Sequence, residues 1–181
     1  MSIPDQNQPE EIAWEGKWIV AKTRGKWEYA SRTGAIRAAV ILAVEDGEIL
    51  LVEQYRVALG QRCLELPAGL IGDDDGEEGE DPLTAAKREL EEETGYTARH
   101  WQDCGEFFSS PGMVSESFTL LKATGLTKTS EGGGTDSEDI TVHRVKLANF
   151  PQVIADFRSH GIGIDTRMLL ALGPHLLGDI T

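Results

Sequence analysis

Apolar residues run almost without interruption from position 36 to 44, with Ile36, Val40, Ile41 and Val44 among them, and resume over 48–55 after the turn sequence Glu45-Asp46-Gly47. A run of that length predicts a well-buried strand, and the two runs around the turn predict a hairpin. Shorter strand patterns appear at Leu64-Glu65-Leu66, which enters a Pro67-Ala68-Gly69 turn, and at 104–108, 117–123 and 140–147. The triple glycine 132–134 reads as a flexible loop. Ahead of the first apolar run, 1–11 is a polar, flexible lead-in and 14–32 an aromatic-rich segment of β character.

The period changes at 82–94, where Leu83, Ala86 and Leu90 form a narrow apolar stripe at helix spacing. Asp81 suits the N-cap, Pro82 the first helical position and Gly95 a left-handed C-cap. Two further helices close the chain, 151–159 stopped by Gly161 and 166–172 capped by Asp165.

With 181 residues, 40% of them hydrophobic, the chain can bury one proper core, and neither a repeat nor a long linker divides it. Its 17 basic and 31 acidic residues leave a net charge of −14 without a basic stripe, which argues against duplex nucleic acid as a partner. An anionic substrate then needs local help from bound cations and a few placed arginines. Cys63 and Cys104 match neither a disulfide framework nor a zinc pattern and are expected to be reduced thiols. His100, His143, His160 and His175 lack metal spacing and are expected at the surface or in packing. No apolar run reaches membrane-spanning length and 1–11 lacks a signal-peptide hydrophobic region, so the expected location is cytoplasmic, with no membrane partner.

Glu89, Glu92 and Glu93 fall on one face of the central helix at i, i+3 and i+4. Like charges at that spacing destabilise a helix unless a cation compensates, and clustered carboxylate oxygens suit Mg²⁺, or Mn²⁺ in its place. Arg88 beside the acids, and the bracketing glycines, set this run apart from an ordinary solvated charge face. Glu80, seven residues, then Arg88-Glu89-Leu90, Glu92-Glu93 and Gly95-Tyr96 resembles the box of the Nudix hydrolases, complete from Glu80 to Tyr96. Where the family box opens with a glycine this chain has Asp74; Gly69 is the equivalent, separated from Glu80 by ten residues rather than five. The difference reads as a five-residue insertion in the acidic loop 72–79, an exposed lengthening of small entropic cost.

The resemblance implies an α+β fold: an α/β/α sandwich with a mixed β-sheet over 36–181, preceded by a lead-in and small N-terminal β subdomain over 1–35. It also implies hydrolysis of a nucleoside diphosphate linked to another group. Glu89 and Glu93 would be metal ligands, Glu92 a ligand or a partner of one, and the Ala68 carbonyl a backbone ligand. Arg88 would orient the glutamates, and Glu80 would support the loop and helix geometry.

Outside the box, Gln54-Tyr55-Arg56, Glu65-Leu66-Pro67-Ala68-Gly69 and Ser110-Pro111-Gly112 with Glu116 are similar to the ADP-ribose pyrophosphatase branch. Glu15-Gly16-Lys17-Trp18 and Lys26-Trp27-Glu28 extend the likeness towards the N-terminus. Dimeric members of that branch stack adenine between tryptophans of two subunits. The resemblance therefore implies a homodimer in which Trp18 and Trp27 stack the base, Glu28 and Arg32 reach its edge, and Arg56 grips the pyrophosphate or distal ribose. Packing within an N-terminal sheet is the structural alternative for the tryptophans. The resemblance implies a general base from a loop outside the box: Glu138 is the first candidate, Asp136 the second and Glu116 the third, with a structural role as the alternative for Glu116. The implied reaction is Mg²⁺-dependent cleavage of ADP-ribose to AMP and ribose 5-phosphate, with other nucleoside diphosphate sugars such as GDP-mannose as alternative substrates. A non-catalytic nucleotide sensor is the alternative class, disfavoured by the presence of all three box glutamates and the lack of a basic extension.

Overall fold

The computed structural model describes residues 3–34, 36–72, 80–135 and 138–172; residues 73–79 of the acidic loop, Asp136 and His175 lie outside them. The aromatic-rich segment folds as three antiparallel strands, β1 (Glu10–Glu15), β2 (Ile19–Arg24) and β3 (Trp27–Arg32), in the order β1-β2-β3. The first strand starts at Glu10, inside the stretch expected to be a flexible lead-in, because its backbone finds a ladder on β2, shifted in register only between Ile12 and Trp14. Then come β4 (Arg37–Glu45), β5 (Glu48–Arg56), β6 (Gln61–Glu65), β7 (Ala68–Ile71), α1 (Pro82–Thr94), β8 (Tyr96–Phe108), β9 (Ser117–Lys128), β10 (Thr141–Lys146), α2 (Phe150–Ser159) and β11 (Gly163–Ile164). Leu147–Asn149 and Thr166–Leu172 are 3₁₀ helices.

The long apolar run becomes β4, and its alternation explains the layers. Ala38, Val40, Leu42 and Val44 share a core with Phe150, Met168 and the α2 residues Val153, Ile154 and Phe157. Ala39, Ile41 and Ala43 pack instead with Ala85, Ala86 and Leu90 of α1. A strand apolar on both faces needs a helical layer on each side, and here α1 and α2 supply them. The result is the expected α/β/α sandwich, with the small N-terminal sheet beside it.

The expected hairpin forms only at its turn. Asp46 and Gly47 take positive φ, but β4 and β5 pair at Val44↔Ile49 and Glu45↔Glu48 alone. Beyond that corner β4 lies between β7 and β9, while β5 lies between β6 and β10. Each strand thus exchanges a short local ladder for longer non-local ones. The β4–β9 and β6–β11 pairs are parallel and the rest antiparallel, so the sheet is mixed.

Other elements differ from expectation for local reasons. The expected Pro-Ala-Gly turn runs straight into β7, because Ala68–Ile71 completes a ladder on Arg37–Val40. Strands expected at 104–108 and 117–123 are parts of β8 and β9, whose outer halves are polar and pair from Tyr96↔Lys128 inward. The 166–172 helix is 3₁₀ rather than α, with the Arg167 N–H on the Asp165 carboxylate at 2.6 Å. Among the described residues, no helix is long and apolar enough to cross a membrane.

The N-terminal sheet is joined to the sandwich by backbone bonds. The Ala30 N–H donates to the Met113 carbonyl at 2.9 Å, and the Ser115 N–H donates to the Ala30 carbonyl at 3.0 Å. Phe150, fully buried at the start of α2, anchors the core on that side. Phe150→Ala is expected to lower unfolding free energy by about 3–5 kcal/mol, read as a fall in the urea midpoint.

Candidate active site

The ends of α1 organise the site. Asp81 accepts the Thr84 N–H at 3.3 Å, and Gly95 closes the helix at φ 73°. The chain after β9 then returns to this end. Thr129 and Ser130 donate their N–H groups to the Gly95 carbonyl at 2.7 and 3.1 Å. Gly133 and Gly134 donate theirs to the carbonyls of Glu93 and Glu92 at 2.9 and 3.0 Å. The triple glycine, expected as a flexible loop, is therefore docked on carbonyls that a helix end leaves open. Only glycine permits the approach: a Cβ on Gly132 would lie 2.4 Å from the Thr94 carbonyl carbon.

Glu93 is 3% exposed, and its Oε2 accepts the Ala68 N–H at 2.9 Å. Burial pushes its carboxyl up to about 8; the Ala68 N–H opposes the rise, Glu89 and Glu138 add to it, and Arg56 opposes it. Arg88 spans the neighbouring acids, with Nη1 2.8 Å from Glu89 and 3.5 Å from Glu92, and Nη2 3.8 Å from Glu80. Glu80 accepts the Gly72 N–H at 3.0 Å, which ties the start of the acidic loop to the helix, the supporting role expected of it. The Glu89 side chain lies over Gly69, where a Cβ would fall 1.9 Å from its carboxyl carbon. That contact is a physical reason for glycine at the position matched to the family box.

A second group of charges faces the acids. Arg56 forks onto Glu65 through Nε and Nη2, each at 2.7 Å. Arg167 reaches the same carboxylate at 3.2 Å and is itself held by Asp165. Burial pushes Asp165 up, but Arg167 outweighs it and holds the carboxyl below its usual range. Sequence reasoning missed Glu65, Asp165 and Arg167 as a unit, because 102 positions separate Glu65 from Arg167 and no motif links them.

The candidates for contact with the base belong to the N-terminal sheet rather than to α1. Trp18 and Trp27 are 54% and 56% exposed on the N-terminal sheet, and Lys17 Nζ lies 4.4 Å from the centre of the Trp18 ring. Trp27 lines a pocket of about 430 Å³ with Tyr29, Lys22, Arg24 and Pro111; Trp18 is outside it. Glu10 already pairs with Lys22 at 2.7 Å and Arg24 at 3.1 Å there, so the pocket offers aromatic surface more than free positive charge. Glu28 is exposed, and Arg32 holds Glu116 at 2.7 Å in the joint between the two sheets. Glu138 accepts the N–H and hydroxyl of Thr135 at 2.9 and 3.2 Å, with its charge felt at Glu93.

Among the described residues, no three acidic, histidine or cysteine side chains already converge on one point. The donor chemistry nevertheless fits a hard divalent cation: Arg88 reaches the carboxylates of Glu89 and Glu92, the charges of Glu89 and Glu138 act on Glu93, and Arg56 is engaged by Glu65.

The fold and site define a class, an α/β/α sandwich whose central helix presents glutamates beside an Ala-Gly strand start. Residues 34–159 match the NUDIX domain profile, and the chain belongs to the Nudix family. It is 40% identical over 114 residues to a methanol dehydrogenase activator of Bacillus methanolicus, a match covering 63% of this chain and 58% of the relative, so it spans less than two thirds of that protein. It is 33% identical over 175 residues to an ADP-ribose pyrophosphatase of Saccharomyces cerevisiae, covering 86% and 74% of the two chains. A crystal structure of an ADP compounds hydrolase shares the fold, with a TM-score of 0.71 at 21% identity over 94% of this chain and 92% of that one.

In the metal-free protein, Glu93 gives stability a pH dependence of defined sign. Its carboxyl titrates near 8 when folded and near 4.5 when free, so between those values the folded state alone keeps the proton and stability falls as pH rises. Glu93→Gln cannot ionise. In EDTA it is expected to melt above wild type near pH 8 and to converge with it towards pH 4.5, as thermal melts across that window will read.

Proposed function

We propose that this protein is a Mg²⁺-dependent hydrolase of ADP-ribose, with Mn²⁺ as a substitute ion, producing AMP and ribose 5-phosphate in the cytoplasm as a homodimer. The observation that carries the reading is the buried Glu93 carboxylate, crowded by the charges of Glu89 and Glu138 on a Nudix helix. The name of the yeast relative supports the choice of substrate.

Glu89, Glu92 and Glu93, with the carbonyl of Ala68, would hold the metal. When bound, it supplies charge neutralisation and polarisation at the diphosphate. Arg88 holds Glu89 and Glu92 in place through its guanidinium. In the reaction a water oxygen bonds to phosphorus, the bridging phosphorus–oxygen bond breaks, and its electron pair leaves on the departing phosphate. Glu138 takes the proton released by the water, for which its carboxylate must exchange Thr135 for that water. Arg56, cationic beside the acids, grips the pyrophosphate or distal ribose. Trp18 and Trp27 stack the base across two protomers, with Glu28 and Arg32 at its edge. Their exposure, together with that of Ile12, Trp14 and Ile19 on the two faces of the same sheet, supports a second copy packing on this sheet.

Phosphate release coupled to a phosphomonoesterase, over a panel including ADP-ribose and GDP-mannose with Mg²⁺, tests the substrate. ADP-ribose is expected to have the highest kcat/KM; no turnover of any diphosphate, with tight ADP-ribose binding intact, favours a sensor instead. Glu138→Gln is expected to lower kcat by about 100-fold or more while Mg²⁺ affinity stays near wild type. Near-normal turnover moves the base to another residue.

A further inference from the structure

The segment carrying Glu138 is fastened on both sides. Upstream, Gly133 and Gly134 hang from the carbonyls of Glu93 and Glu92. Downstream, β10 lies on one edge of β5 and β6 on the other, with Thr141 opposite Glu53. Arg62, on β6, reaches across β5 to join all three strands. Its Nε donates to Glu53 Oε1 at 2.5 Å and its Nη1 to Asp139 Oδ2 at 2.8 Å. Its Nη2 faces the Glu53 carbonyl at 3.1 Å, the Asp139 carbonyl at 3.3 Å and the Thr141 hydroxyl at 3.4 Å. The Asp139 carboxylate is 84% exposed, so that ion pair alone holds little. The main-chain bonds beside it do more, because the guanidinium is braced from behind by Glu53, whose other oxygen is 2.9 Å from His143 of β10.

We propose that Arg62 is a positioning residue for the hydrolysis, clamping the main chain at Asp139 and so setting where the adjoining Glu138 stands relative to Glu93. The clamp rests on the assignment of Glu138 as the base. A planar fork with donors on three nitrogens is needed to meet Glu53 on β5, Thr141 on β10 and Asp139 just before it, and lysine has no such fork.

Steady-state kinetics on ADP-ribose with Mg²⁺, for Arg62→Gln, Arg62→Lys, Glu138→Gln and the Arg62→Gln/Glu138→Gln double variant, test the clamp. Arg62→Gln is expected to lower kcat about tenfold or more while KM moves less than about threefold, with Arg62→Lys in between. In the Glu138→Gln background the same change is expected to cost less than about twofold, since its effect runs through the missing carboxylate. Removing Arg62 leaves Glu53 short of a cation, so if Arg62→Gln melts below the assay temperature, Arg62→Gln/Glu53→Gln removes both charges and is expected to show the same loss of kcat. Wild-type kcat in the Arg62 variants, with Glu138→Gln inactive, overturns the clamp alone. So does an undiminished Arg62→Gln penalty in the double variant. Normal turnover by Glu138→Gln overturns the base assignment and the clamp together.

Discussion

The open carbonyls at the end of α1 are the constraint on which the site depends. A helix that stops beside a sheet must find donors for its last turn or leave buried acceptors unpaired. Here they come from a segment more than thirty residues downstream, whose N–H groups reach Glu92, Glu93 and Gly95. The approach leaves no room for side chains, which accounts for Gly95 at the helix end and Gly132 opposite it. Satisfying the helix also brings Glu138 close enough for its charge to act on Glu93, so backbone hydrogen bonding, rather than any attraction between acids, sets that approach.

That assembly is electrostatically costly. The C-terminal end of a helix bears partial negative charge, and α1 places Glu91, Glu92 and Glu93 there with no basic residue in its last turn. Glu93 is also buried, and its raised pKa is the visible consequence. Arg88 relieves Glu89 and Glu92 from one side, and the Ala68 N–H relieves Glu93 from another. The remaining strain is of the kind a divalent cation removes, and it arises from where the helix ends as much as from the number of glutamates.

The parts that were readable in the sequence are those written by local rules. The α1 caps, its apolar stripe and the two-sided β4 follow from neighbours a few positions apart, and each stands in the structure as expected. What escaped is non-local. The parting of β4 from β5 depends on ladders with β7, β9, β6 and β10, and the outer half of β8 exists because β9 pairs with it despite a polar sequence. The glycine loop was misread for a related reason: three glycines signal freedom unless a helix end lies within reach. Arg62 and Arg167 carry no sequence signal, since their partners Asp139 and Glu65 are distant in the chain.

Those distant pairs answer a problem that the acidic cluster creates. In a chain of net charge −14, an arginine near the box glutamates is drawn to collapse onto them, which would neutralise the carboxylates and remove the cation from any ligand. Glu65 prevents this by taking the Nε and Nη2 edge of Arg56, and Arg167 with Asp165 keeps the buried Glu65 from being left with one partner. Arg56 stays close enough to be felt at Glu93 while its Nε and Nη2 are held by Glu65. Opposite charges a short distance apart are thereby kept separate, each braced by its own partners.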